Sequence, residues 1–274
     1  METGVVRVNG IRMHYRRAGQ GPLIVLLHGW PQTGHCWRHL QGPLAETHTV
    51  VAPDLRGYGR SDKPTGGYDK RTMAADLHEL VHALGFSAAT VIGHDRGARV
   101  AHRWALDHPG DVTRLVLMDI IPTREMWRRM DADLARRTWH WLLHLQPDTP
   151  ELLDPAAYIR QTIERWSYVP LPEEDIDEYV RAFRAPGAMR AGLADYRASF
   201  PDDAEADDAD FGRRLTMPVH LLWGAHSFLR SLDPVQIWED YAEDVSGAVV
   251  ADCGHFLAEE RPREVLAALA GVLG

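Results

Sequence analysis

Cysteine is scarce: Cys36 and Cys253 are the only two in 274 residues. That argues against a disulfide framework and predicts a reducing, cytoplasmic setting. Long apolar runs are missing too. Leu23 to Leu27 is far too short to cross a bilayer, and the residues before it lack the apolar segment of a signal peptide. Positive charge is in the minority, with 30 Lys and Arg against 39 Asp and Glu and a net charge of -9. Nucleic acid and anionic membranes are therefore poor partners, and an anionic small molecule would need local positive charge to hold it. Almost all the basic residues are arginine, so no single arginine is distinctive by type. Repeats and low-complexity tracts are absent. What is present is ordinary globular composition, 45% hydrophobic and 25% charged, in a length that suits one large α/β domain with an insertion.

The strand signals come early. Val5-Val6-Arg7-Val8 and Arg12 to Arg16 flank Asn9-Gly10, a strong hairpin signal. Leu23 to Leu27, Val50 to Ala52, Ala89 to Ile92 and Arg114 to Met118 read as buried parallel strands. Thr72 to Leu84 has helical spacing and stops at Gly85. From Pro122 to about Phe211 the texture is helical, rich in Trp and Arg and broken by prolines, with no strand runs. Asp202 to Asp210 reads as an acidic, exposed loop. Strands return at Val219 to Trp223 and Ala248 to Ala251, and Glu260 to Leu273 closes the chain as an amphipathic helix. The expectation is a mostly parallel eight-stranded sheet with helices on both faces. Residues 1-121 and 212-274 would form its core, and residues 122-211 an inserted helical cap.

One stretch carries the chemistry. Gly93-His94-Asp95-Arg96-Gly97 stands between a strand and a helix, and its glycines permit a sharp turn that holds the central side chain out at the top of a sheet. The pattern is the nucleophile elbow with Asp95 in the usual place of serine. A carboxylate needs no base to ionise it, and attack on an alkyl carbon leaves an ester. Alone, the motif reads equally well as a helix start capped by Asp95. His255 follows the last strand and is placed to activate water against such an ester. Its orienting acid is missing after Trp223, but the strand before the insertion ends in Asp119. Backbone N–H groups of Trp30 and Arg96 would form the oxyanion hole. Arg96 and Arg99, three apart at the start of a helix, suit a planar carboxylate, or else are surface charges or partners of Asp95. His140, Trp141 and Tyr196 offer polar hydrogens on rings; the residues alone do not separate halide binding from packing.

Taken together, these segments resemble the fluoroacetate (haloacetate) dehalogenases of the α/β-hydrolase superfamily. The likeness rests on His28-Gly29-Trp30-Pro31-Gln32-Thr33, Gly93 to Arg99, Met118 to Thr123, His140-Trp141, Asp195 to Ala198 and Gly254-His255-Phe256. It implies the α/β-hydrolase fold, with Asp95 as nucleophile, His255 as base and Asp119 as its partner. It further implies a carboxylate grip by Arg96 and Arg99, a halide pocket of His140, Trp141 and Tyr196, no metal or organic cofactor, and a homodimer. The family often has Phe where this chain has Trp30, which would alter the pocket floor. Haloalkane dehalogenases usually carry Trp directly after the nucleophile, where Arg96 stands here. The rival expectations are an epoxide hydrolase, which normally uses two cap tyrosines, with Tyr158, Tyr168, Tyr179 and Tyr196 available, and a non-catalytic ligand-binding protein of the same fold.

Overall fold

The computed structural model describes residues 2–273. Eight strands form one sheet in the order β1-β2-β4-β3-β5-β6-β7-β8. They are β1 (Glu2–Val8), β2 (Ile11–Ala18), β3 (Leu23–Leu27), β4 (Thr49–Pro53), β5 (Ala89–His94), β6 (Val112–Met118), β7 (Val219–Gly224) and β8 (Val245–Val250). The β1-β2 hairpin and its pairing to β4 are antiparallel. The pairings from β4 through β3, β5, β6 and β7 to β8 are parallel. Asn9 adopts φ 41° and Gly10 φ 78°, the left-handed pair that a tight hairpin demands.

Leu23 to Leu27 and Thr49 to Pro53 are buried throughout, which explains their unbroken apolar character: parallel strands covered on both faces have no polar side. Helices α1 (Arg38–Leu44), α2 (Lys70–Ala83) and α3 (Asp95–Asp107) precede β6. Asp69 caps α2 by accepting from the Thr72 amide at 2.8 Å, satisfying a free N–H of the first turn.

Eight helices fall between β6 and β7: α4 (Thr123–Arg128), α5 (Ala132–Arg137), α6 (Trp139–His144), α7 (Thr149–Leu152), α8 (Pro155–Trp166), α9 (Glu173–Arg184), α10 (Ala188–Arg197) and α11 (Ala204–Ala209). The chain ends through α12 (Pro234–Trp238), α13 (Leu257–Glu260) and α14 (Pro262–Leu273). The acidic stretch Asp202 to Asp210 is not an exposed loop, because it contains α11 and buries Asp203 and Asp207. Asp203 accepts from the Lys70 amide at 2.7 Å, and Asp207 from the Arg124 amide at 3.3 Å. These acids face amide donors and the basic side chains of the core, a partnership that charge density along the sequence does not reveal. No helix among the described residues is long and apolar enough to cross a membrane.

Candidate active site

β5 ends at His94 and α3 begins at Asp95, which stands at φ 46°. A non-glycine residue there is strained, and such strain persists only where the surroundings enforce it. The flanking glycines explain how. A Cβ on Gly97 would lie 2.3 Å from the His28 carbonyl oxygen, and one on Gly93 would lie 2.6 Å from the Ala98 Cα. Strand and helix approach each other too closely at the turn for any side chain.

The Asp95 carboxylate is oriented from the β3 side. The Trp30 N–H donates to its Oδ2 at 2.9 Å, and Oδ1 does not share that bond. Among the described residues the Arg96 N–H makes no hydrogen bond to this carboxylate. Trp30 itself is fully buried, packed edge-on against Phe183 at 4.7 Å, His144 at 5.1 Å and Tyr196 at 5.9 Å. Its ring is not among the cavity walls. Space for the indole comes from Gly192, where a Cβ would meet Trp30 at 2.4 Å. The larger ring is thus absorbed behind the pocket.

His255 and Asp119 meet as the sequence suggests. Nδ1 of His255 lies 2.6 Å from Oδ2 of Asp119, whose Oδ1 accepts from the Gly224 amide at 3.3 Å. Asp119 stands at the end of β6 with φ 54°, so both carboxylates of the site sit on strained strand-end turns. Burial works to lower the pKa of His255, but the hydrogen bond and charge of Asp119 override it and the value is raised. His94 also serves this end: its Nε2 meets the His255 carbonyl at 2.7 Å.

Arg96 and Arg99 have different surroundings. Arg96 is fully buried and pairs with Asp195, Nε at 3.0 Å and Nη2 at 2.6 Å from Oδ1. Asp195 also binds Lys70 Nζ at 2.5 Å and the Tyr58 hydroxyl at 2.6 Å. Burial opposes the charge on Arg96, yet Asp195 holds its pKa above the ordinary value. Only Nη1 of this guanidinium is left without a partner. Arg99 joins no ion pair among the described residues. Its Nη1 donates to the Ile121 carbonyl and the Thr123 hydroxyl, both at 3.0 Å, and its Nε is unpartnered. Burial and the neighbouring Arg96 charge lower its pKa to about 10.

From the insertion, α6 and α10 bring His140, Trp141 and Tyr196 together. Tyr196 lies edge-on to both His140 and Trp141, each at 5.6 Å. The Arg96 guanidinium lies over the Tyr196 ring at 4.4 Å, and that of Arg99 over Trp141 at 4.7 Å. Burial drives the His140 pKa well down, leaving a neutral imidazole, and burial with the Asp95 charge raises that of Tyr196, which keeps its proton. His140, Trp141, Asp95, Arg99 and His255 line one cavity of about 430 Å³. Tyr196, buried just behind, is not among its walls.

The sequence reading missed two features. Asp195 was visible only as part of a motif, and its role as counterion of Arg96 and Lys70 depends on the fold. The second is the electrostatics of the cavity: Arg99, Arg136, Arg137, Arg165 and Arg230 line it, and Asp95 is the only acidic residue among its walls. Arg136 and Arg137 are neighbours on α5, but the others lie on separate segments, so no single stretch of sequence announces the set.

A family model described as alpha/beta hydrolase fold matches residues 22–262. The chain belongs to the α/β-hydrolase family. It is 42% identical over 268 residues to a soluble epoxide hydrolase of Corynebacterium sp. (strain C12), covering 94% of this chain and 92% of that protein. It is also 36% identical over 274 residues to a fluoroacetate dehalogenase of Burkholderia sp., covering 95% and 90%. The solved structure of the epoxide hydrolase CorEH without ligand superposes with a TM-score of 0.91 at 38% identity, over 98% of this chain and 97% of that one. Epoxide hydrolases and a dehalogenase thus stand side by side among its relatives.

Proposed function

We propose that this hydrolase displaces halide from short 2-haloacids, haloacetate first among them, through an ester on Asp95. The observation that carries this reading is the cavity's charge. In a protein of net charge -9, five arginines line the cavity around one nucleophilic carboxylate; Arg136 and Arg137 pair with Asp133, while Arg99, Arg165 and Arg230 join no ion pair among the described residues. Converging positive charge raises the local concentration of anions. A buried guanidinium without a carboxylate partner, as Arg99 is, is costly unless a ligand supplies the charge.

In the first step Asp95 Oδ1 attacks the α-carbon of the haloacid, whose carboxylate lies on Arg99. A carbon–oxygen bond forms as the carbon–halogen bond breaks, and halide departs with the bonding pair. The proton donors of His140 and Trp141 face the departing halide, Tyr196 packs behind them, and the helical insertion acts as the cap that keeps water from it. Arg96, already neutralised by Asp195, positions the Tyr196 ring from behind the cavity. In the second step His255, held by Asp119, takes a proton from water as the water attacks the Asp95 carbonyl carbon. The Trp30 N–H stabilises the oxyanion on Oδ2. Collapse expels the 2-hydroxy acid, which receives the proton, and Asp95 returns to its carboxylate. The balance is haloacid plus water to hydroxy acid, halide and one proton.

An epoxide hydrolase is the second reading, favoured by the name of the Corynebacterium relative. It would use the same Asp95 ester, with His140 and Tyr168 from the cavity walls as donors to the epoxide oxygen. Two of the other cap tyrosines are committed elsewhere: the Tyr158 hydroxyl lies 2.6 Å from His144, and Tyr179 bonds Glu259 at 2.9 Å. Tyr168 lines the cavity, with its ring stacked on His226 at 3.7 Å. Purified protein given chloroacetate, fluoroacetate and a small neutral epoxide in separate assays, with Asp95→Asn as control, tests both. Asp95-dependent halide release with slower epoxide opening is the expected result. Epoxide opening without halide release would replace the first reading by the second.

A further inference from the structure

Away from the cavity, α2 and the turn after α3 bring three metal-ligating side chains together. His78 and His82 are four apart on α2 and so share one face, their rings 4.6 Å apart. Asp111 reaches them from the Pro109–Asp111 turn. Its Oδ2 lies 2.7 Å from His78 Nδ1, while its Oδ1 is 3.4 Å from His82 Nε2. One donor atom from each of the three lies within 4.8 Å of the others. The 3.4 Å separation is long for a charge-assisted hydrogen bond, so mutual hydrogen bonding alone does not account well for the trio.

Two further contacts give this cluster the build of a ligand set. The Trp104 indole donates to Asp111 Oδ2 at 2.9 Å, the kind of outer bond that orients a ligating carboxylate. His108 stacks on His78 at 4.0 Å with the rings 14° from parallel, fixing the plane of that imidazole. The two histidine side chains are 36% and 44% exposed and Asp111 9%. A cation can therefore enter from solvent and keep water in its remaining positions.

We propose that His78, His82 and Asp111 form a binding site for a divalent first-row transition-metal cation. Two imidazoles and one carboxylate suit Zn2+, with Ni2+ and Cu2+ close behind, and are a poor set for Mg2+ or Ca2+, which take oxygen ligands. The ion clamps the C-terminal half of α2 to the end of α3. Asp95 opens α3 and Asp111 lies beyond its far end, a separation of about 20 Å along the helix. The site therefore acts on stability and not on the reacting atoms.

The test uses the full-length protein, made without a histidine tag, stripped with chelator and desalted. Titration calorimetry with ZnCl2, and with MgCl2 as control, is run on the wild type and on His82→Ala, Asp111→Asn and His108→Ala. The expected result is saturable binding of one Zn2+ and none of Mg2+. Affinity should fall roughly tenfold or more in His82→Ala and Asp111→Asn and persist in His108→Ala. Zn2+ should also raise the Tm of the wild type but not that of His82→Ala. His82→Ala guards against the case in which Asp111→Asn fails to fold, since Asp111 also holds Trp104. No saturable Zn2+ binding, or binding unchanged in His82→Ala, would overturn the proposal.

Discussion

The core and the helical insertion meet at the same cavity, yet they hold their residues by different physics. The core delivers Asp95 and Asp119 on strand-end turns at φ 46° and 54°. Directional hydrogen bonds then fix the oxygens, 2.9 Å from Trp30 N–H and 2.6 Å from His255. The insertion delivers His140, Trp141 and Tyr196 on helices that meet through rings and guanidinium faces 4.4 to 5.6 Å apart. Ring packing is less directional than hydrogen bonding and adjusts to the volume available. On the proposed reading, the core would fix both the bond made to Asp95 and, through Arg99, the charge accepted, and the insertion would govern the leaving group.

The most severe way to break this contrast is at the core. Asp95→Asn should lower turnover by about 10⁴-fold or more, measured as halide release, with little change in folding. His255→Gln should stop the reaction after the first step. Intact-protein mass spectrometry should then find the substrate's carboxymethyl group held on Asp95 as an ester, and unmodified protein after incubation would contradict the ester mechanism.

The two arginines sharpen the contrast further. Arg99→Gln should lower kcat/KM by roughly 10²-fold, from loss of a charge-assisted contact, while leaving Tm nearly unchanged or raised. Arg96→Gln should instead cost about 3–5 kcal/mol of stability, because it leaves Asp195 in the interior with Lys70 as its one cation. Equal effects of both changes on KM with no difference in Tm would show that the two guanidinium groups share one role.

Smaller effects are expected from pH and from the rim. His255 must be neutral to accept a proton, so ester hydrolysis should slow as pH falls through its raised pKa and the ester should accumulate on the acid side. The same shift favours the folded state below the ordinary histidine range, and that contribution is lost as pH rises through the raised value. Arg165→Gln with Arg230→Gln should lower kcat/KM by a few-fold, roughly, and flatten its dependence on salt, as a titration with NaCl would reveal.

Much of the architecture was legible because it rests on local rules. Short apolar runs marked the strands at Leu23 to Leu27 and Ala89 to Ile92, Asn9-Gly10 marked the hairpin, and Gly93 and Gly97 marked a turn with no room for a Cβ. The meeting of His255 with Asp119 could be anticipated because both follow parallel strands and so emerge at the same edge of the sheet. The acidic stretch that became α11 was misread, since its partners Lys70 and Arg124 lie far away in sequence.

The sequence by itself therefore determined the parallel sheet, the elbow and the identity of the groups at the strand ends, because strand periodicity and turn chemistry act over a few residues. Only the tertiary structure decided that Arg96 is neutralised by Asp195 while Arg99 is not, that Trp30 is absorbed against Gly192, and that arginines from separate segments face one cavity. Each depends on which distant groups share a low-dielectric space, where one counterion more or less changes what a charge can do.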